Sequence, residues 1–102
     1  MVYKLYEMAN VSKKDTGLPY DIWIDSVGSS RRVAHHLPRI KVKVDGKMIP
    51  ISISDNPKIL AGRDFPQSSI IKNYILKYRE VLERHWNHEL TDREALNLLG
   101  HL

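Results

Sequence analysis

The stretch Pro38–Ser54, PRIKVKVDGKMIPISIS, decides how this chain of 102 residues folds. Two runs of alternating apolar and polar residues flank the pair Asp45-Gly46, which is the strongest short-range signal for a two-residue hairpin turn. With this pair at the centre of the turn, the apolar residues of the two runs face each other on one side of the hairpin. The predicted pairs are Val42 with Ile49 and Ile40 with Ile51.

The opposite side of the predicted hairpin carries positive charge. Because successive side chains of a strand point to opposite faces, the cations of the first run point together. They are Arg39, Lys41 and Lys43, beside Met48, Pro50 and Ser52 of the second run. Proline cannot donate a ladder hydrogen bond, so Pro50 indicates that the second strand is a sheet edge or is locally bulged.

Other short segments predict further strands and loops. Val2–Met8 reads as a first strand, and Tyr20–Ser26 alternates and reads as another. In the latter, Tyr20, Ile22 and Ile24 share one face, whereas Asp21, Trp23 and Asp25 share the other. Polar and turn-forming residues predict loops over Asn10–Pro19, Val27–His36 and Asp55–Arg63.

The period changes to that of a helix from about Pro66 to Trp86. The apolar stripe comprises Ile70, Ile71, Tyr74, Tyr78, Val81, Leu82 and His85, and Trp86 is expected to plug the core. Thr91–Glu94 matches a capping box, and Gly100 is a suitable stop. Asp92–Leu99 should therefore form a short final helix.

These elements predict an α+β fold in a single domain, residues 1–102. A small antiparallel sheet of three or four strands, with a central hairpin, is covered on one face by the long C-terminal helix and the short final helix. The other sheet face is expected to be partly exposed to solvent. It should either carry the basic row or be covered by a partner.

Composition narrows the class of protein. The chain has no cysteine, which removes disulfides, thiolate zinc sites and cysteine nucleophiles and fits a reducing compartment. No apolar run is long enough to span a membrane, and Met1–Asn10 lacks the pattern of a signal peptide. A cytoplasmic protein is expected. The formal charge of +4 and the pI near 9.4 favour anionic partners mildly.

Clustered cations make nucleic acid the first candidate partner. On the hairpin and its preceding loop they are expected to contact several phosphates, with Trp23 as a stacking surface if its strand lies beside them. The candidate residues are Arg31, Arg32, Arg39, Lys41, Lys43, Lys47 and Trp23. The alternative is that Lys and Arg occupy these positions only because they solubilise a strand and discourage edge aggregation.

Histidines raise two further possibilities. His35 and His36 are candidates for acid–base chemistry in metal-free RNA cleavage, with Arg31 and Arg32 steadying the phosphate. His85 and His88 lie one helical turn apart with Glu89 adjacent, a spacing that invites a metal. Without a His-Glu-x-x-His pattern or an acidic cluster, neither a metal site nor a cofactor is expected.

The chain resembles an uncharacterised family of small bacterial proteins at the stretch His35–Val42, HHLPRIKV. The resemblance continues in the following Pro-Ile-Ser-Ile strand and in a helix whose end contains Leu82 and Trp86. That family carries a His-x-x-Pro-His-Phe-His-Val motif and an α+β hairpin-and-helix layout, often near toxin–antitoxin or mobile-element genes. The resemblance covers about residues 20–90. Arg39 and Lys41 stand where the family has its two later histidines, which favours binding over catalysis.

The leading expectation is a small bacterial accessory protein that binds RNA or single strands through the basic hairpin face and the preceding loop. Two alternatives of other classes stay open. One is a metal-independent ribonuclease toxin that uses His35 or His36. The other is a protein-interaction module of a mobile element or phage, docking at the Pro50 edge or the Trp23 face.

Overall fold

A computed structural model of the protein describes residues 8–25 and 38–102. Within these ranges the strands are β1 (Met8–Val11), β2 (Ile22–Asp25), β3 (Arg39–Val44) and β4 (Lys47–Ser52). The helices are α1 (Lys13–Thr16), α2 (Ser68–Lys77), α3 (Arg79–Trp86) and α4 (Asp92–Leu98). The strands form one antiparallel sheet in the order β1-β2-β3-β4. The predicted α+β fold is confirmed.

The central hairpin has the predicted turn and register. Asp45 and Gly46 both lie in the left-handed region, with φ of 50° and 79°. Two successive positive φ values are what a type I′ turn requires, and its twist matches that of the flanking strands. The pairs are Ile40 with Ile51, Val42 with Ile49, Arg39 with Ser52, Lys41 with Pro50 and Lys43 with Met48.

Pro50 lies on the outer edge of the sheet, as predicted, and its backbone faces away from β3. The Pro50 carbonyl accepts a hydrogen bond from the Leu60 N–H, and the Ser52 N–H donates to the Lys58 carbonyl, both at 2.9 Å. The missing N–H of Pro50 therefore removes nothing from the β3–β4 ladder. These bonds flank an isolated bridge between Ile51 and Ile59, so a segment predicted as loop covers part of the edge.

The N-terminal part differs from the prediction. The strand predicted over Val2–Met8 lies outside the described residues except for Met8, and the strand observed here is Met8–Val11. The loop predicted over Asn10–Pro19 was wrong as far as Thr16, because this stretch contains the end of β1 and all of α1. Ser12 caps α1 through its side chain, and Gly17 ends it at φ 77°. The segment is polar and was therefore predicted as a loop, but capping residues at both ends stabilise a short helix in it.

The long C-terminal helix is present but is divided at Tyr78, which has φ −110° and ψ 25°. Its hydrogen bonds continue through this point, since the Tyr78 N–H donates to Tyr74 and the Leu82 N–H donates to Tyr78, both at 3.0 Å. The helix begins at Ser68, two residues after Pro66. Hydrogen bonds from Ser68 and from the Phe65 N–H lower the pKa of Asp64 beside this start.

The helices cover one face of the sheet and enclose a contiguous core. Sheet residues at 1% exposure or less meet equally buried helix residues across this layer. They are Ile22, Ile24, Ile40, Val42 and Ile51 from the sheet, and Ile71, Tyr74, Ile75 and Leu82 from the helices. Trp86 is buried, which confirms its predicted core position. No helix in residues 8–25 and 38–102 has the length and apolarity needed to cross a bilayer.

The last helix and the residues after it are fixed by side-chain contacts. Thr91 and Glu94 form the predicted capping box, and these bonds lower the pKa of Glu94. The Tyr74 hydroxyl donates to the Gly100 carbonyl at 2.8 Å, and the Tyr78 hydroxyl donates to the His101 carbonyl at 2.9 Å. Burial, with a smaller contribution from Tyr78, raises the pKa of Tyr74.

Candidate nucleic-acid interface

The sheet face turned away from the helices carries a row of cations on β3. Ile40 and Val42 point into the core, so the alternate residues Arg39, Lys41 and Lys43 share the opposite face. Arg39 and Lys41 are partly buried and Lys43 is exposed. Alternate residues of a strand recur about 6.8 Å apart. The sequence-based prediction that these three residues lie together is confirmed.

Trp23 lies directly beside the middle of this row. The register pairs Trp23 of β2 with Lys41 of β3, and paired residues point to the same face of a sheet. Neighbouring strands are about 4.8 Å apart, which brings the indole within reach of anything bound along the lysines. Trp23 is partly buried, and the condition placed on it, that its strand lies beside the cations, is met.

Lys58 also belongs to this face, and the sequence did not reveal it. The bridge between Ile51 and Ile59 places Lys58 opposite Ser52, which is itself paired with Arg39. Ile59 packs against the core, so its neighbour Lys58 points to the other side, where it is exposed. We call the surface formed by Trp23, Arg39, Lys41, Lys43 and Lys58 the cation face.

Lys47 does not share the cation face. It pairs with Val44, a buried residue of the core side, so the register puts it on the opposite side of the hairpin. Alternation within β4 decides this, because Lys47 is an odd number of residues from Met48 and Pro50. The other predicted site residues, Arg31, Arg32, His35 and His36, lie outside the described residues.

Asp21 stands close to the row, and its carboxylate is held by the start of α1. The Asp21 carbonyl accepts a hydrogen bond from the Lys43 N–H at 3.2 Å, which places Asp21 across from Lys43. Its carboxylate accepts the Lys13 N–H at 2.8 Å. The negative charge of Asp21 is therefore directed to the start of α1, where the N–H groups of a helix favour an anion.

A groove of about 420 Å³ opens at the Ser52 and Lys58 end of the cation face. We call it the end groove. The Ser52 hydroxyl accepts the Lys58 N–H at 2.9 Å and shares a hydrogen bond of 3.1 Å with the Ser54 hydroxyl. The other residues that line the groove are Pro38, Ile53, Asp55, Asn56, Leu60 and Arg79.

Charge in the end groove is largely balanced, apart from Lys58. Arg79 forms an ion pair with Asp55, and its Nε lies 3.3 Å from a Glu83 carboxylate oxygen. A second groove, of about 700 Å³, lies at the turn end of β4 and includes Lys47 and Ala61. It shares no lining residue with the end groove.

His85 joins two of the C-terminal helices. His85 is 1% exposed, and its Nε2 lies 2.6 Å from Oδ1 of Asp92 at the start of α4. This contact ties α3 to α4. His88 is exposed, with φ 64° in the turn after α3. Over residues 8–25 and 38–102, no group of three or more potential ligands is placed to hold a metal ion.

Comparison of the chain with protein-family models, with curated proteins and with solved structures found no match.

Proposed function

We propose that this protein binds nucleic acid, as RNA or as single strands, through the cation face. The observation that carries the proposal is the pairing of Trp23 with Lys41 in the middle of the cationic row. Stacking on an aromatic ring and neutralisation of phosphates are the two interactions that sequence-tolerant single-strand binding combines. Here one sheet face offers both.

The spacing of the row supports an extended strand as the ligand. Alternate residues of β3 recur about 6.8 Å apart, which is close to the separation of successive phosphates in an extended single strand. Arg39, Lys41 and Lys43 would each meet one phosphate, while a base between them lies on Trp23. A duplex would present paired bases that cannot reach the indole.

The position of β3 argues against a purely protective role for these charges. Lysines discourage aggregation when they lie on the edge strand of a sheet. However, β3 lies between β2 and β4, so its backbone is already paired on both sides. Protection of an edge therefore does not explain Arg39, Lys41 and Lys43.

The resemblance to the small bacterial family also supports binding rather than catalysis. The motif of that family has histidines where this chain has Arg39 and Lys41. Permanent cations hold phosphate, but they do not exchange protons near neutral pH as imidazole does. We therefore propose a bacterial accessory protein of a toxin–antitoxin or mobile-element setting, with binding as its role.

The test is a titration of a fluorescently labelled single-stranded RNA by anisotropy. Affinity should fall steeply with salt, with a slope of about −0.7 in log K against log salt for each phosphate neutralised. The double variant Lys41→Glu/Lys43→Glu should abolish binding. Unchanged affinity in this variant would contradict the proposal.

A matched control makes the same change of net charge elsewhere. Arg84 and Arg93 are exposed on α3 and α4, on the helical side of the molecule. Arg84→Glu/Arg93→Glu should leave most of the affinity intact. If both double variants lose binding equally, net charge rather than the cation face controls it.

Native purification separates the proposal from the protein-interaction alternative. The ratio of absorbance at 260 and 280 nm reports whether nucleic acid travels with the protein. A stoichiometric protein without nucleic acid would favour docking of a protein on the same surface.

A further inference from the structure

We propose that the end groove binds one unpaired base of the nucleic-acid strand that lies on the cation face. This inference rests on the proposed function and adds the part of the ligand that this region recognises. It predicts that the protein selects single strands over duplexes, because a paired base cannot enter a groove at the end of the sheet.

Continuity with the cation face is the first argument. Lys58 belongs to the cation face and also lines the groove, and Ser52, the strand partner of Arg39, lines the groove beside it. A strand whose phosphates contact Lys41 and Arg39 would therefore bring its next nucleotide toward Lys58 and the groove.

Size and surface chemistry are the second argument. The volume of about 420 Å³ lies within the range of small-molecule sites, which are mostly apolar with a few polar groups. Pro38 and Leu60 supply apolar walls, and Ser54 and Asn56 supply polar groups. A nucleobase has the matching character, with an apolar ring and a polar edge.

The balance of charge favours a base over another phosphate. The charge of Arg79 is already directed to Asp55 and Glu83, and the Asp55 carboxylate lies at the groove. The negative charge of this carboxylate would repel a phosphate placed there, whereas it would not repel an uncharged base. Lys58 is then available to the phosphate of the nucleotide whose base enters.

The test compares intact single-stranded RNA with oligonucleotides that carry one abasic residue, scanned along the strand. Removal of a base keeps the phosphate charges, so any loss reports base contacts alone. For the wild-type protein we expect about tenfold weaker binding at two abasic positions, one for Trp23 and one for the groove.

Filling the groove should remove one of these two positions. Ser54 is partly exposed and lines the groove, and its φ is not left-handed. Ser54→Leu should weaken binding of the intact strand about tenfold and abolish the effect of the abasic residue at the groove. The salt slope should not change, because no cation is altered. Asn56→Leu, at an exposed position, is a second filling variant.

Ala61→Leu is the control, because it adds apolar volume to the separate groove at the turn end of β4. It should bind like the wild type. If both filling variants bind like the wild type while Lys41→Glu/Lys43→Glu does not bind, the groove inference is overturned and the proposed function survives. If the wild-type protein binds no nucleic acid, the proposed function itself fails.

Discussion

The two faces of the sheet have opposite chemistry although they are built from the same strands. On β3, Ile40 and Val42 are fully buried, whereas Lys43 one residue later is exposed. The difference arises because a strand turns successive side chains to opposite sides. One alternating sequence thus supplies both half of a core and a row of cations, and no separate element is needed to present the row.

This division implies that stability and binding respond to different substitutions. Changes on the helix-covered face should lower the free energy of unfolding, and changes on the cation face should lower affinity. Substitutions on each face, and at the turn between the strands, measure how completely the two faces are separated.

The largest contrast is expected between neighbouring positions of β3. Ile40→Ala should lower the free energy of unfolding by about 2–5 kcal/mol, because it leaves a cavity in a closely packed layer. Lys43→Ala should change it by less than about 0.5 kcal/mol. Urea denaturation of both variants measures this directly. Equal losses would mean that the exposed face contributes to packing as much as the core does.

The turn should matter to both faces, because it sets which residues share each one. Gly46 has φ 79° and no atom outside its chain neighbours within 4 Å of an added Cβ. Gly46→Ala should therefore cost about 1–2 kcal/mol through backbone strain alone. Thermal unfolding checks the cost. An effect near zero would show that the hairpin accommodates another turn.

The capping box belongs to the helical layer and should affect that layer only. Thr91→Ala removes the side-chain acceptor at the start of α4 and should cost about 1 kcal/mol of stability. Affinity for single-stranded RNA, measured well below the melting temperature, should not change. A parallel loss of affinity would mean that the two sides are coupled through the sheet.

The smallest effect is expected at Tyr74 and depends on pH. Burial raises the pKa of the Tyr74 hydroxyl in the folded state above the ordinary value of 10.0 that applies to the unfolded chain. The unfolded state then binds fewer protons, so the stability that this group contributes is full below about pH 10 and is lost as pH rises further. Stability measured between pH 8 and 11 should fall more steeply for the wild type than for Tyr74→Phe.

Tyr74→Phe also loses the hydrogen bond to the Gly100 carbonyl, at a cost of about 1 kcal/mol near neutral pH. The conservative ring keeps the packing. If the free energy of unfolding falls equally steeply with pH in both proteins, a group other than Tyr74 causes the loss of stability at alkaline pH.

Sequence reasoning succeeded where the determinant was local. The Asp45-Gly46 turn fixed the hairpin register, and the capping box at Thr91 fixed the start of α4. It failed at α1, because a four-residue helix is too short for an apolar period to appear, and the polar segment around it was assigned to a loop. The helical period of apolar residues continues through Tyr78, so nothing in the sequence indicated that the helix is divided there.

For the candidate site, the sequence predicted the row Arg39, Lys41 and Lys43 and made the place of Trp23 conditional on strand order. It grouped Lys47 with them because the residues are close in sequence, and the register separates them. Lys58 was missed, since nothing local indicates that the segment after Pro57 returns to pair with β4.

By itself, the sequence determined the alternation of the hairpin and its turn, because both follow from the conformational preferences of adjacent residues. Only the tertiary structure decided which strand lies beside β3 and which loop returns to the edge of β4. Those pairings join residues distant in the chain, and they are selected by burial of the whole apolar layer rather than by any short segment.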